Sequence, residues 1–264
     1  LNKVWIDDGH GGSDPGAVAL GLVEKSINLV MSLSCKAELE RHNVLVGMTR
    51  LGDATVSLTQ RATLANNWGA HYFISIHNNA GGGDRGEVIH SVNNGKGLEL
   101  ANKIAIKIKT ETQQDFVKVY SRPSTSSPNK DYYSVIANTK MPAVIVEGAF
   151  LDNHLDNNAI DTVEEQKGFG VAIAHGILNQ LDVAIKSTIK PIVIVPIEEK
   201  PFVVPANNLI PPTGPNITLL NGGGWIEHAA DGRVITHQSR SVYFAITADG
   251  HLDFTVNGVC TRLK

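Results

Sequence analysis

The chain has 264 residues, 42% of them hydrophobic and 19% charged, which fits one large or two modest folded domains and lies far from a disordered composition. With 23 basic against 26 acidic residues the formal charge is -3, so the basic excess that nucleic-acid binding requires is absent, and a nucleic-acid partner is not expected. No run approaches the ~20 apolar residues that cross a bilayer, and the two cysteines, Cys35 and Cys260, stand too far apart for a Cys-x-x-Cys site and read as free thiols.

In chain order, "KVWID" (3–7) reads as a short buried strand that runs into the glycine-rich stretch "DGHGGSDPGA". From Glu24 the apolar spacing of Ile27, Val30 and Met31 predicts a helix to about Asn43. "VLVGMTR" (44–50) is a second strand. "SLTQRATLANNWGA" (57–70) is a helix with Ser57 as its cap and Gly69 near its end. "HYFISIH" (71–77) is almost continuously apolar, as expected of a strand covered on both faces. "GEVIHSV" (86–92) is a strand, and 96–113 is a helix. "SRPSTSSPNK" (121–130) is a polar loop, followed by a short helix in "DYYSVIANT". "PAVIVEGAF" (142–150) is a last buried strand, and 163–184 an amphipathic helix. Strands alternating with helices predict an α/β fold with a mostly parallel sheet flanked on both faces.

The composition then changes. Residues 189–215 carry seven prolines in 27 positions with no helical period, which predicts an extended linker. Beyond it, Asp231-Gly232, Asp249-Gly250 and Asn257-Gly258 each separate alternating apolar runs and signal hairpins, giving about four short strands in a small β module. The domain expectation is 1–184 for a catalytic unit, 185–216 for the linker and 217–264 for the module. Trp225, Tyr243, Phe244 and Phe254 are either a sugar-facing surface or the core of so small a unit.

Ligands of parallel α/β sheets bind at the carboxyl ends of the strands. Asp7, Asp8 and His10 follow the first strand, His77, Asn78 and Asn79 end the third, and Glu147 lies near the end of the last. Glu24 opens the first helix, after the loop that carries His10. Two imidazoles and a carboxylate suit zinc, with water in the open position, and a second carboxylate serves as base. On this reading His10, Glu24 and His77 are candidate ligands and Glu147 the catalytic base, an arrangement suited to hydrolysing an amide. Each also has a plainer reading: a hydrogen-bonding loop histidine, a structural strand-end histidine, an acidic first-turn residue. Glu147 is hardest to explain that way, because a carboxylate in "AVIVEGAF" is costly to bury without a partner. Asp7 is the expected orienter of the His10 ring, and Asn79 a candidate substrate contact. His175, on the last helix, has no evident partner.

The segments "IDDGHGGSDPGA", "LVEKSINL", "FISIHNNA" and "VIVEGAFLDN", in that order, resemble the zinc-dependent N-acetylmuramoyl-L-alanine amidases of bacterial and phage cell-wall lysis, over about residues 3–181. The resemblance implies a six-stranded α/β sheet flanked by helices. It also implies hydrolysis of the amide between the lactyl group of N-acetylmuramic acid and L-alanine, a Zn2+ ion held by His10, Glu24 and His77, and Glu147 as the catalytic glutamate. Asp8, where that family usually carries proline, is a departure. Peptidoglycan is then the expected partner, with a wall carbohydrate or a second copy of the chain as candidates for the C-terminal module. No basic-then-apolar leader precedes "KVWIDDGH", so the expectation is a phage endolysin or bacterial autolysin held in the host cytoplasm until released onto the wall. The rival readings are a zinc peptidase cutting within the stem peptide and a non-catalytic wall-binding protein.

Overall fold

The computed structural model describes residues 1–186 throughout and, beyond them, the backbone of six strands between Asn216 and Leu263. The chain divides into two units, Leu1–Ile192 and Val193–Lys264. The first unit holds a six-stranded sheet. Its strands are β1 (Lys3–Asp8), β4 (Leu45–Met48), β5 (Tyr72–Asn79), β6 (Gly86–His90), β7 (Val117–Ser121) and β10 (Ala143–Phe150), in the spatial order β4-β1-β5-β10-β6-β7. All neighbours run parallel except β10 and β6, which are antiparallel, so the sheet is mostly parallel as expected.

Two short hairpins lie outside the sheet, β2 with β3 (Val18–Ala19, Leu22–Val23) and β8 with β9 (Pro123–Ser124, Ser127–Asp131). The second corrects the expectation of a polar loop over 121–130. Pro123 lies at the start of a short strand, where its missing N–H costs nothing. Strand β7 has no counterpart in the sequence reading. Its residues are half-buried or exposed because it is an edge strand, and so it lacks a continuous apolar run.

The helices are α1 (Glu24–Arg41), α2 (Leu58–Trp68), α3 (Lys96–Glu111), the single-turn α4 (Ser134–Ala137) and α5 (His154–Asn157), and α6 (Val163–Gln180). Helix α2 begins with a capping box between Ser57 and Gln60 and ends at Gly69, whose left-handed φ of 70° suits glycine. Helix α6 ends at Gln180, four residues short of its predicted end.

Side-chain alternation along the strands divides the core in two. Val4 and Ile6, Ile74 and Ile76, and Val144 and Val146 face the larger cluster with Met31, Ile104 and Phe169 from α1, α3 and α6. Trp5, Phe73, Ile89, Ala143 and Ile145 face the other way, against Ala65 of α2 and Val135 of α4. Extending the same parity puts Asp7, His77, Glu87 and Glu147 on the α2–α4 side, at the strand ends. One period-two pattern sets both core faces and the strand-borne part of the site.

The second unit is an antiparallel meander of β11 (Asn216–Leu220), β12 (Gly224–His228), β13 (Val234–Gln238), β14 (Val242–Ile246), β15 (Leu252–Val256) and β16 (Val259–Leu263). It has six strands rather than about four. The three Gly-containing pairs do lie between paired strands; of the two further connections, 221–223 opens on Asn221-Gly222, a hairpin signal the sequence reading passed over, and 239–241 carries no Asn-Gly or Asp-Gly pair. The linker expectation at 185–216 falls almost wholly outside the described residues, as do the module's aromatic side chains. Among the described residues no helix is long and apolar enough to cross a membrane.

Candidate metal centre

His10, Glu24 and His77 each offer a donor atom, and these atoms lie within 4.8 Å of one another. Strand β5 delivers His77 at its carboxyl end. Glu24 is the first residue of α1, yet it is buried rather than solvated as an ordinary first-turn acid would be. Its Oε1 lies 3.0 Å from His77 Nδ1 and accepts from the Asn78 backbone N–H (3.1 Å) and Asn28 Nδ2 (3.2 Å). Its Oε2 lies 3.1 Å from His10 Nε2 and accepts from the Ala17 N–H at 2.8 Å. The two imidazole rings meet edge to face, with centroids 4.9 Å apart.

His10 reaches this point through a strained turn. Its own φ is 61°, unusual for a side-chain-bearing residue. Two buried arginines hold it there: the His10 carbonyl accepts from Arg50 Nε (3.1 Å) and Arg61 Nη2 (2.8 Å). Those guanidiniums are in turn paired with Asp8 and Asp7, at 2.9 and 2.8 Å. Gly16, at φ 66°, is packed so close that a Cβ there would lie 2.4 Å from Glu24 Oε2 and 2.6 Å from the His10 ring. Only glycine fits both the backbone and the space.

Asp7 does not orient the His10 ring as expected. Its carboxylate accepts from Arg61 Nη1 (2.8 Å), Thr49 Oγ1 (2.7 Å) and Ser75 Oγ (2.6 Å). The acid on His10 Nδ1 is Asp14, at 2.8 Å, which also accepts from the Gly16 N–H. Asn79 turns inward: its Oδ1 accepts from the Ala80 N–H and its Nδ2 donates to Glu87 at 3.4 Å. His175 is corrected as well, since Glu111 and Glu38 flank its ring at 2.5 and 3.0 Å. Cys35 is a free, buried thiol, which burial pushes above its ordinary pKa.

Glu147 on β10 is in register with His77 on β5 and with Glu87 on β6. Its Oε2 is shielded from solvent and has no hydrogen-bond partner. Burial pushes its carboxyl up to about 7, against the pull of His77 and with added repulsion from Glu24 and Glu87. Burial opposes charge on His10 too, but hydrogen bonding and charge from Glu24, then Asp14, raise it to about 9. At Glu24 burial opposes charge as well, but hydrogen bonds from His10 and His77, the His77 charge and the Ala17 N–H overcome it and hold the carboxyl far below the usual range. Two imidazoles around a buried carboxylate, with an unpartnered carboxylate oxygen beside them, are a donor set that fits zinc. A cavity of about 390 Å³ opens over the cluster, with His10, His77 and Glu147 on one side and Val56, Leu58 and Tyr133 among its other walls.

A family model described as N-acetylmuramoyl-L-alanine amidase matches residues 4–179. The N-acetylmuramoyl-L-alanine amidase CwlM of Bacillus licheniformis is 38% identical over 186 residues, which are 68% of this chain and 67% of that protein. The endolysin of Bacillus phage SPP1 is 35% identical over 161 residues, 57% of this chain and 55% of its own length. Among solved structures, Cwp6 from Clostridium difficile matches with a TM-score of 0.66 at 33% identity, over 68% of this chain. The match takes in 29% of Cwp6, so this chain spans less than a third of that protein.

Proposed function

The chain belongs to the N-acetylmuramoyl-L-alanine amidase family, and from that premise we propose that it is a zinc-dependent peptidoglycan hydrolase that cuts the amide between the lactyl group of N-acetylmuramic acid and L-alanine of the stem peptide. The observation that carries this reading is the unpartnered Oε2 of Glu147, beside a His10–Glu24–His77 cluster at the mouth of one cavity. His10, Glu24 and His77 would hold the ion. Zinc bound there supplies Lewis acidity to the scissile carbonyl and lowers the pKa of water toward ~7.

The chain's own residues do the rest. Glu147 takes the proton of the attacking water and returns it to the L-alanine nitrogen as the C–N bond breaks, leaving a lactyl carboxylate and a free amine. Burial raises the Glu147 carboxyl above the ordinary carboxylate range, which favours a group that acts as base and then as acid. Arg50 and Arg61 fix the His10 backbone, and Asp14 fixes its ring. The C-terminal strands are proposed as a wall-binding or dimerisation module, which would raise local substrate concentration without changing the chemistry. The test is amine release from purified wall by the full chain, abolished by a chelator and restored by zinc. Undiminished release after complete zinc removal would overturn the proposal.

A further inference from the structure

Five arginines lie within residues 1–186, and four of them are ion-paired. Arg41 pairs with Glu38, Arg50 with Asp8, Arg61 with Asp7 and Arg85 with Glu87. Arg122 makes no ion pair with any described carboxylate, although it is held in place. Its guanidinium carbon sits 3.9 Å from the centroid of Tyr132 and 5.7 Å from that of Tyr133. Its Nη1 donates to the Tyr133 hydroxyl at 3.3 Å. The two rings are themselves edge to face, 5.1 Å apart at 82°. Arg122 and Tyr132 face each other at the base of the β8–β9 hairpin, where the Tyr132 N–H donates to the Arg122 carbonyl at 3.0 Å.

This arrangement has the features of a built anion site. Stacking on tyrosine limits the rotamers of a long side chain while leaving N–H groups along the guanidinium edge for a planar oxyanion. Tyr133 belongs to the wall of the cavity that holds His10, His77 and Glu147, so Arg122 stands one side chain away from the candidate reaction centre.

Resting on the amidase reading, the chemistry of the substrate says which anion this is. The lactyl carboxylate of muramic acid is consumed in the scissile amide, so the glycan side of the bond offers no carboxylate. The peptide side does. We propose that Arg122, braced by Tyr132 and Tyr133, binds a carboxylate of the stem peptide and so fixes the leaving-group side of the substrate in the cavity.

The test titrates synthetic stem-peptide fragments beginning with L-alanine, each as free acid and as carboxamide, into the full zinc-loaded chain. Such fragments lack the scissile bond and are not turned over. The wild type is expected to bind the free acid about tenfold more tightly than the carboxamide, the preference of a site built around a charged hydrogen bond. That ratio falls to about one in Arg122→Gln and is partly kept in Arg122→Lys. An acid-to-amide ratio that is the same in wild type and Arg122→Gln, or no binding of the free acid by wild type, overturns the inference. Amine release from whole wall, measured on the same samples, reads the amidase proposal separately. A wild type that prefers the free acid through Arg122 but releases no amine sinks that proposal alone.

Discussion

Asp14 Oδ2 lies 2.8 Å from Nδ1 of His10, the ring nitrogen opposite the one that faces Glu24. A carboxylate in that place fixes both the tautomer and the direction of the imidazole, and such partners typically govern metal affinity by about 10- to 100-fold. Asp14→Ala should therefore weaken zinc binding by about that factor while the far-ultraviolet circular dichroism is unchanged. Asp7→Ala should act differently, lowering stability because it strands Arg61, Thr49 and Ser75. If competition titration shows equal zinc affinity in Asp14→Ala and wild type, the orienting role is wrong.

The base assignment separates chemistry from metal binding. Glu147→Gln keeps the shape of the side chain but cannot accept the proton, so kcat should fall by about 10²- to 10⁴-fold with one zinc per chain retained. Loss of the metal together with the activity would place Glu147 among the ligands instead.

Arg61 is 4% exposed and joins Asp7, the Asp8 carbonyl and the His10 carbonyl. Removing it leaves the Asp7 charge buried beneath the metal-site loop, and a broken buried pair costs about 3–5 kcal/mol. Urea unfolding of Arg61→Ala should show that loss at unchanged m-value. A midpoint within error of wild type would mean that the pair is solvated.

Zinc binding should release protons. In the metal-free chain, hydrogen bonding and charge from Glu24 and Asp14 outweigh burial and hold His10 at about 9, and His77 is raised as well. The His10 ring is therefore largely protonated at neutral pH, and a ligating imidazole must lose that proton. Apparent zinc affinity should climb from pH 6 to about 9 and then level. A flat profile across that interval would contradict the contacts described for Glu24.

Far from the metal, Glu38 offers a test of acid stability. Burial works against its charge, but hydrogen bonds from Arg41 and His175 prevail and hold its carboxyl below the ordinary 4.5. A depressed carboxylate contributes stability that is complete above its unfolded value and is lost as pH falls through the folded one. Glu38→Gln should lower Tm by about 2–4 °C at pH 7, the size of a ~1 kcal/mol change in a domain of this length. The gap should close as pH drops below 4.5. A gap that persists undiminished at pH 3 would count against the ion network.

Strand ends were easy to read in the sequence because β1, β5 and β10 are short, apolar and parallel. The period-two pattern therefore carried Asp7, His77 and Glu147 to one rim without further information. The residues arranged by the loop were not readable. Asp14 folds back onto His10 through positive φ at His10, Gly11 and Gly12, and no periodicity encodes such a path. Arg50 and Arg61 were missed for a related reason: each looks like an ordinary surface cation until the loop carbonyls close over it. Strand β7 and the β8–β9 hairpin escaped because edge and loop strands need no apolar face, and His175 because its two carboxylates come from α1 and α3.

The central claim is the identity of the bond that is cut. Purified peptidoglycan digested by the zinc-loaded full chain should yield new N-terminal L-alanine in equal amounts with free muramic lactyl carboxylate, with no new reducing sugar ends. New amino termini on any other stem-peptide residue, or reducing ends without free L-alanine, would contradict the account.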